Sequence, residues 1–146
     1  MNIKFRIATI DDVKGIIELC NECFLEHTSL EYALDVFKKF EHDKNHIYIV
    51  GTCDGMIIAH TKITIVPTIF EGVKTYAILN RVCVKKEFRQ HKVGMTLLKA
   101  CEAVCKRHGC ILMRLWSSNY RVPAHNLYKK YGFVAKDSQI FVKDIK

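Results

Sequence analysis

Proline and glycine are scarce in this chain, with two and seven copies in 146 residues. Long flexible linkers are therefore not expected. No run of 18 apolar residues occurs, and the opening MNIKFRIATIDD has no extended apolar segment. Neither a membrane-spanning helix nor a secretory leader is expected, nor a membrane partner. Internal repeats and low-complexity segments are missing. No block of five like charges exists, and no helix carries a basic stripe interleaved with aromatics. The net charge of +8 thus comes without a nucleic-acid-binding motif, and no nucleic-acid partner is expected. A second Cys-x-x-Cys or a His pair at zinc spacing is also lacking beside Cys20-x-x-Cys23. The seven cysteines are odd in number. They read as free thiols of a reducing cytoplasm, packed as small hydrophobes, and no metal is expected.

What is present is ordinary for a globular protein: 49% apolar and 26% charged residues, enough for one domain over 1–146 with a proper core. KFRIATI reads as a first strand. Thr9 and Asp12 have the spacing of a capping box, and Ile10, Val13, Ile16, Ile17, Cys20 and Phe24 then recur at helical intervals. A break at EHTS precedes a second helix carrying Leu30, Ala33, Leu34, Phe37 and Phe40. HIYIVGT and MIIAHTKITIV flank CDG, whose Asp-Gly is a hairpin signal. TYAILNRVCV follows, with Ile78, Asn80, Val82 and Val84 on one face and Leu79, Arg81 and Cys83 on the other. A third helix from Val93 stops at Gly109. CILMRLW reads as a buried strand, PAHNLYKKY as a helix begun by Pro123 and stopped by Gly132, and QIFVKDI as a last strand. The order β-α-α-β-β-β-α-β-α-β predicts an α/β class with a mixed, mostly antiparallel sheet flanked by about four helices.

The densest basic cluster, Lys85, Lys86, Arg89, His91 and Lys92, surrounds RQHKVGMTLL. A strand, a basic turn and a helix start can cradle an anion, because the first N–H groups of a helix are unpaired and aligned with its dipole. Gly94 permits close approach and Arg89 can clamp a phosphate. Lys92 stands where a second glycine would suit the turn. A positive φ there costs lysine on the order of 1 kcal/mol relative to glycine, and a negative φ costs nothing.

A second constellation, SSNYRVPAHNLYKKYGF, places Asn119, Ala124, Leu127, Tyr128, Lys130, Gly132 and Phe133 in a loop, helix and turn. With VCVKKEFRQHKVGMTLL, it makes the chain resemble the GNAT superfamily of acetyl-CoA-dependent N-acetyltransferases. The family loop Q/R-x-x-G-x-G/A is matched by Arg89 to Gly94, with Lys92 replacing a glycine. The resemblance implies that the pantetheine arm lies along Val82, Cys83 and Val84. It implies that the pyrophosphate sits on Arg89, Gln90, His91, Lys92, Val93, Gly94 and Met95, and that Asn119 bonds the arm or the pyrophosphate region. Tyr128 is implied as the general acid for the departing thiolate, a role a phenol can fill without prior ionisation.

Many family members carry a glutamate four residues before the final valine of the strand, where this chain has Asn80. Asn80 cannot accept a proton, though it can hold water or substrate. His60, or ordered water, is the remaining route, and His27, Glu26 and Glu22 are further candidates for the acceptor pocket. The expected activity is acetyl transfer from acetyl-CoA to a primary amine, with a small molecule favoured as acceptor. A CoA-binding sensor or interaction protein of the same fold is the alternative. Edge strands of such a sheet also offer a route to a homodimer.

Overall fold

The computed structural model describes residues 2–146. It divides into two compact units, one ending at Trp116 and one spanning Ser117–Lys146.

The first unit is built on a five-stranded sheet in the order β1-β2-β3-β4-β5. Its strands are β1 (Ile3–Ile7), β2 (His46–Cys53), β3 (Met56–Val66), β4 (Tyr76–Val84) and β5 (Met113–Leu115). The first four pair antiparallel, and β5 joins β4 in parallel. The β2–β3 hairpin turns at Asp54 and Gly55, both left-handed with φ of 50° and 80°, the pair of angles a two-residue hairpin requires. Ile49 and Val50 point to opposite faces of β2 yet are 2% and 0% exposed, so both faces are covered.

Three helices cover that sheet: α1 (Val13–Phe24), α2 (Leu30–Phe40) and α3 (Val93–Arg107). Before α1, the Asp12 carboxylate accepts the Thr9 N–H at 2.8 Å and both Arg6 guanidinium nitrogens at 2.6 and 2.8 Å, so the expected capping box is reinforced by an ion pair. Ile16, Leu19 and Cys20 of α1 pack with Val50 and Cys83. Ser29 caps α2 through the Tyr32 N–H (3.2 Å), and Phe37 and Phe40 of α2 lie against Tyr48 and His46. Val93, Leu97, Leu98, Cys101, Val104 and Cys105 form the buried side of α3, which packs on β3 and β4.

In the second unit, α4 (Val122–Tyr131) begins with Pro123 near its N-terminus and ends at Gly132, φ 118°. The Phe133 N–H returns to the Tyr128 carbonyl at 2.9 Å. No helix of the described residues is long and apolar enough to cross a membrane.

Three sequence expectations are corrected. QIFVKDI forms no strand, and Ile140, Phe141, Val142 and Ile145 are exposed. Alternating apolar residues become a strand only when a partner takes their N–H and C=O groups, and none of the described residues does so here. The buried strand expected over CILMRLW shrinks to the three residues of β5, with Ile111, Leu112 and Trp116 exposed. The regular alternation expected through β4 is broken. His60 pairs with Cys83 and Lys62 with Asn80, so Arg81 and Val82 together oppose Thr61. This is a β-bulge, with Arg81 left-handed at φ 54°. Its result is that Asn80 and Arg81 are both exposed while Val82 and Cys83 are both buried.

Candidate active site

The bulge is pinned from β3. Thr61 Oγ1 donates to the Asn80 carbonyl and His60 Nδ1 to the Arg81 carbonyl, each at 3.1 Å. A carbonyl only accepts, so Nδ1 carries the imidazole proton and Nε2 is left as an acceptor. Nε2 is buried and has no hydrogen-bond partner among the described residues, and the ring stacks on Tyr48 at 6.0 Å. Thr61 and His60 are 0% and 2% exposed. Two buried polar side chains thus hold the strand in its irregular course.

Beside the bulge opens a cleft of about 830 Å³. Asn80, His60, His27 and Glu26, all named from the sequence, line it together with Ile16, Tyr48, Lys62 and Arg81. The loop bearing Glu26 and His27 is fixed by Asn21. Its side chain bonds Thr28 twice, Nδ2 donating to the carbonyl at 3.1 Å and Oδ1 accepting the N–H at 3.0 Å. Glu26 pairs with Arg81. Glu22 does not line the cleft and instead pairs with Lys85 at 3.2 Å. Arg81, expected on the opposite face, and Lys62 were not recognised from sequence. No local pattern marks the bulge that turns Arg81 into the cleft.

At this same end of β4 the strand also lacks a neighbour on one side. The β4–β5 pairing covers only Ala77–Leu79, so residues 80–84 face no β5 partner. The chain then runs through a short 3₁₀ turn, Lys86–Phe88, into the loop at 89–94. Gln90 and Lys92 are left-handed, φ 68° and 61°. Lys92 is the N-cap of α3 and adopts the angle a glycine would. The first intrahelical bond is Thr96 N–H to the Lys92 carbonyl, 3.1 Å, so the N–H groups of Val93, Gly94 and Met95 have no helical partner. Left-handed residues beside unpaired N–H groups form a concave anion nest. The Arg89 guanidinium stands elsewhere than expected: Nε donates to the Val84 carbonyl at 2.9 Å and Nη2 to Cys23 Sγ at 3.8 Å. It ties the loop to the strand end.

Cys20, His60 and Cys83 bring their ligand-type atoms within 4.8 Å of one another. Cys20 Sγ is 3.6 Å from His60 Nδ1 and 4.0 Å from Cys83 Sγ, a contact the spacing of the cysteines in sequence does not foretell. All seven thiols are free. A hydrogen bond from Cys83 is the main cause lowering the pKa of Cys20 and that of Cys23, the latter to about 7 with help from Arg89. Cys83 has one S–H and serves one thiolate at a time, and its own pKa is raised.

In the second unit, Asn119 lies in an exposed turn before α4. Tyr128 is buried, its ring edge-on to Phe133 at 5.8 Å. The Gly132-Phe133 turn closes back on the Tyr128 carbonyl, which fixes the tyrosine at the last turn of α4.

A mixed sheet with a bulged fourth strand, a free strand edge and an anion nest at a helix start defines an acyltransferase-type fold. The chain belongs to the Acetyltransferase (GNAT) family, whose pattern matches residues 13–133. It is 33% identical over 85 residues to the chloroplastic GCN5-related N-acetyltransferase 10 of Arabidopsis thaliana, a match covering 58% of this chain and 32% of that one. It is 22% identical over 155 residues to spermidine N(1)-acetyltransferase of Thermoplasma acidophilum, covering 94% of this chain and 92% of that one. Among solved structures, AAC(6')-Iy in complex with the bisubstrate analogue CoA-S-monomethyl-acetylneamine superposes with a TM-score of 0.86 at 17% identity, covering 100% of both chains.

Proposed function

We propose that the protein transfers the acetyl group of acetyl-CoA to a primary amine of a small molecule, by direct attack in a ternary complex. The observation that carries this reading is the loop at 89–94. A non-glycine residue held left-handed at position 92 and free N–H groups at the head of a 15-residue helix suit a multiply charged phosphate group. The cleft volume of about 830 Å³ is of the size small ligands occupy. Relatives named for spermidine acetylation and for a CoA-bearing bisubstrate analogue support the same direction.

Acetyl-CoA, when bound, supplies an activated thioester. The chain's residues do the rest. The N–H groups of residues 90–95 hold the pyrophosphate, that of Arg89 being bonded to the Lys86 carbonyl, and the unpaired edge at Val82, Cys83 and Val84 aligns the pantetheine amides. The Val84 carbonyl already accepts from Arg89 Nε and, weakly, from the Cys23 thiol, so it takes little part. Asn119 bonds the arm or the pyrophosphate region. Asn80 and His27 contact the acceptor. The attacking amine must be neutral, and His60 Nε2 is the acceptor for its proton, directly or through water. Tyr128 protonates the departing thiolate. Holding both reactants in one site supplies much of the rate.

Thiol release from acetyl-CoA over an amine panel tests this. Acceptor-dependent release is expected, and Tyr128→Phe should lower kcat by about 10²–10⁴-fold with acetyl-CoA affinity nearly intact. Acetyl-CoA binding without acceptor-dependent release would identify a sensor instead.

A further inference from the structure

We infer that the acceptor amine also carries an anionic group, a carboxylate or a phosphate, and that Lys62 receives it. The inference rests on the acetyltransferase reading of the same cleft and names the class of its substrate.

Three charged side chains line the cleft: Glu26, Lys62 and Arg81. Glu26 and Arg81 pair with each other, and the Arg81 guanidinium lies 5.0 Å from the Phe24 ring centroid. Their charges cancel. Lys62 remains. Its Nζ is 2.9 Å from His46 Nδ1 and 2.9 Å from Thr64 Oγ1, both neutral acceptors, and 5.8 Å from the Tyr48 ring centroid. An ammonium has no acceptor capacity, so His46 must present its bare Nδ1 and carry its proton on Nε2, the nitrogen 3.9 Å from Asp43. Two of the three Lys62 donors are used by these contacts, and one is left.

Among the described residues no carboxylate comes within ion-pair distance of Lys62. Asp43 acts on it only through space, and burial acts the other way, pulling its pKa down. A half-buried ammonium without a counter-ion is unfavourable by itself. An anion entering the cleft would complete it with a charge-assisted hydrogen bond. Lys62 pairs in register with Asn80, so this cation sits on the strand adjoining the bulge. The net charge of +8 works in the same direction, drawing anionic acceptors and repelling polycations. Polycationic acceptors of the kind suggested by a spermidine-acetylating relative would set like charge against Lys62.

Matched acceptors distinguish these outcomes: 4-aminobutyrate against 1,4-diaminobutane, glucosamine 6-phosphate against glucosamine, and spermidine as a polycation. Each is assayed by thiol release from acetyl-CoA with the wild-type chain, Lys62→Met and Lys62→Arg. The anionic member of at least one pair should show the higher kcat/KM, and the pair that does so separates carboxylate from phosphate. Lys62→Met should raise KM for that acceptor by about 10- to 100-fold, the range for one hydrogen bond to a charged group, and Lys62→Arg should restore part of it. Acetyl-CoA affinity, measured alongside, reports that the variant is folded. Preference for spermidine or 1,4-diaminobutane, or a Lys62→Met loss equal for anionic and neutral acceptors, overturns the inference. Failure of every amine, whatever its charge, would overturn the acetyltransferase reading first and this inference with it.

Discussion

Position 92 allows strain and charge to be separated. Lys92 is held at φ 61° and ψ 15°, a conformation that costs an L-residue about 1–2 kcal/mol. Lys92→Ala removes the ammonium and keeps the Cβ. Lys92→Gly removes both, but its freer unfolded chain costs about 0.5–1 kcal/mol. Lys92 is exposed, so the lost charge itself changes stability little. The glycine variant should therefore exceed the alanine variant by about 0.5–1 kcal/mol, or roughly 1–4 °C in Tm for a chain of this size. Both variants should bind acetyl-CoA more weakly than wild type at low salt. That difference should close toward about 1 M salt, where the Debye length is about 3 Å. Thermal melts and acetyl-CoA titrations at two salt concentrations read both effects. Equal stability of the alanine and glycine variants would refute the left-handed assignment, and unchanged low-salt affinity would refute the electrostatic role of the ammonium.

His60→Asn keeps an N–H donor near the Arg81 carbonyl and loses Nε2. It should lower kcat/KM while preserving the fold, whereas His60→Ala should also lose about 1–3 kcal/mol of stability. Cys23, whose pKa is lowered to about 7, should be alkylated fastest near neutral pH. Burial raises Cys101 and pushes Cys105 up to about 12, so these should lag; mass-spectrometric mapping after brief iodoacetamide exposure checks the order. The Arg6 hydrogen bond lowers the pKa of Asp12. Its contribution to stability is then present above the unfolded value of about 3.9 and lost as pH falls through the folded value. Asp12→Asn should cost about 1–3 kcal/mol at pH 7, and denaturation curves should show the gap to wild type narrowing below about pH 4.

The parts of the fold read correctly from sequence are those that local chemistry specifies. The helical spacing of Val13, Ile16 and Cys20, the Asp54-Gly55 turn and the Gly132 stop each act within a few residues. Apolar runs were less informative. QIFVKDI and CILMRLW carry strand-like residues, but a strand also needs an available neighbour, which no local window contains. The cleft illustrates the same limit. Asn80, His60, His27 and Glu26 were legible as candidates, yet Lys62 and Arg81 enter only through strand register and the bulge. The meeting of Cys20 with Cys83, 63 residues apart, follows from α1 packing on the sheet and leaves no trace in the spacing of the cysteines.

The extra residue in β4 also bears on how this protein can change over generations. Substitutions at Asn80 and Arg81 reshape the surface that meets an acceptor, while those at Val82 and Cys83 disturb packing. Loss of the extra residue would leave Asn80 opposite Lys62 and Cys83 opposite His60 and flatten the strand between them, removing the irregularity that turns Arg81 into the cleft. Acceptor preference can therefore drift by point substitution, while a gap of a single codon at this place would be purged.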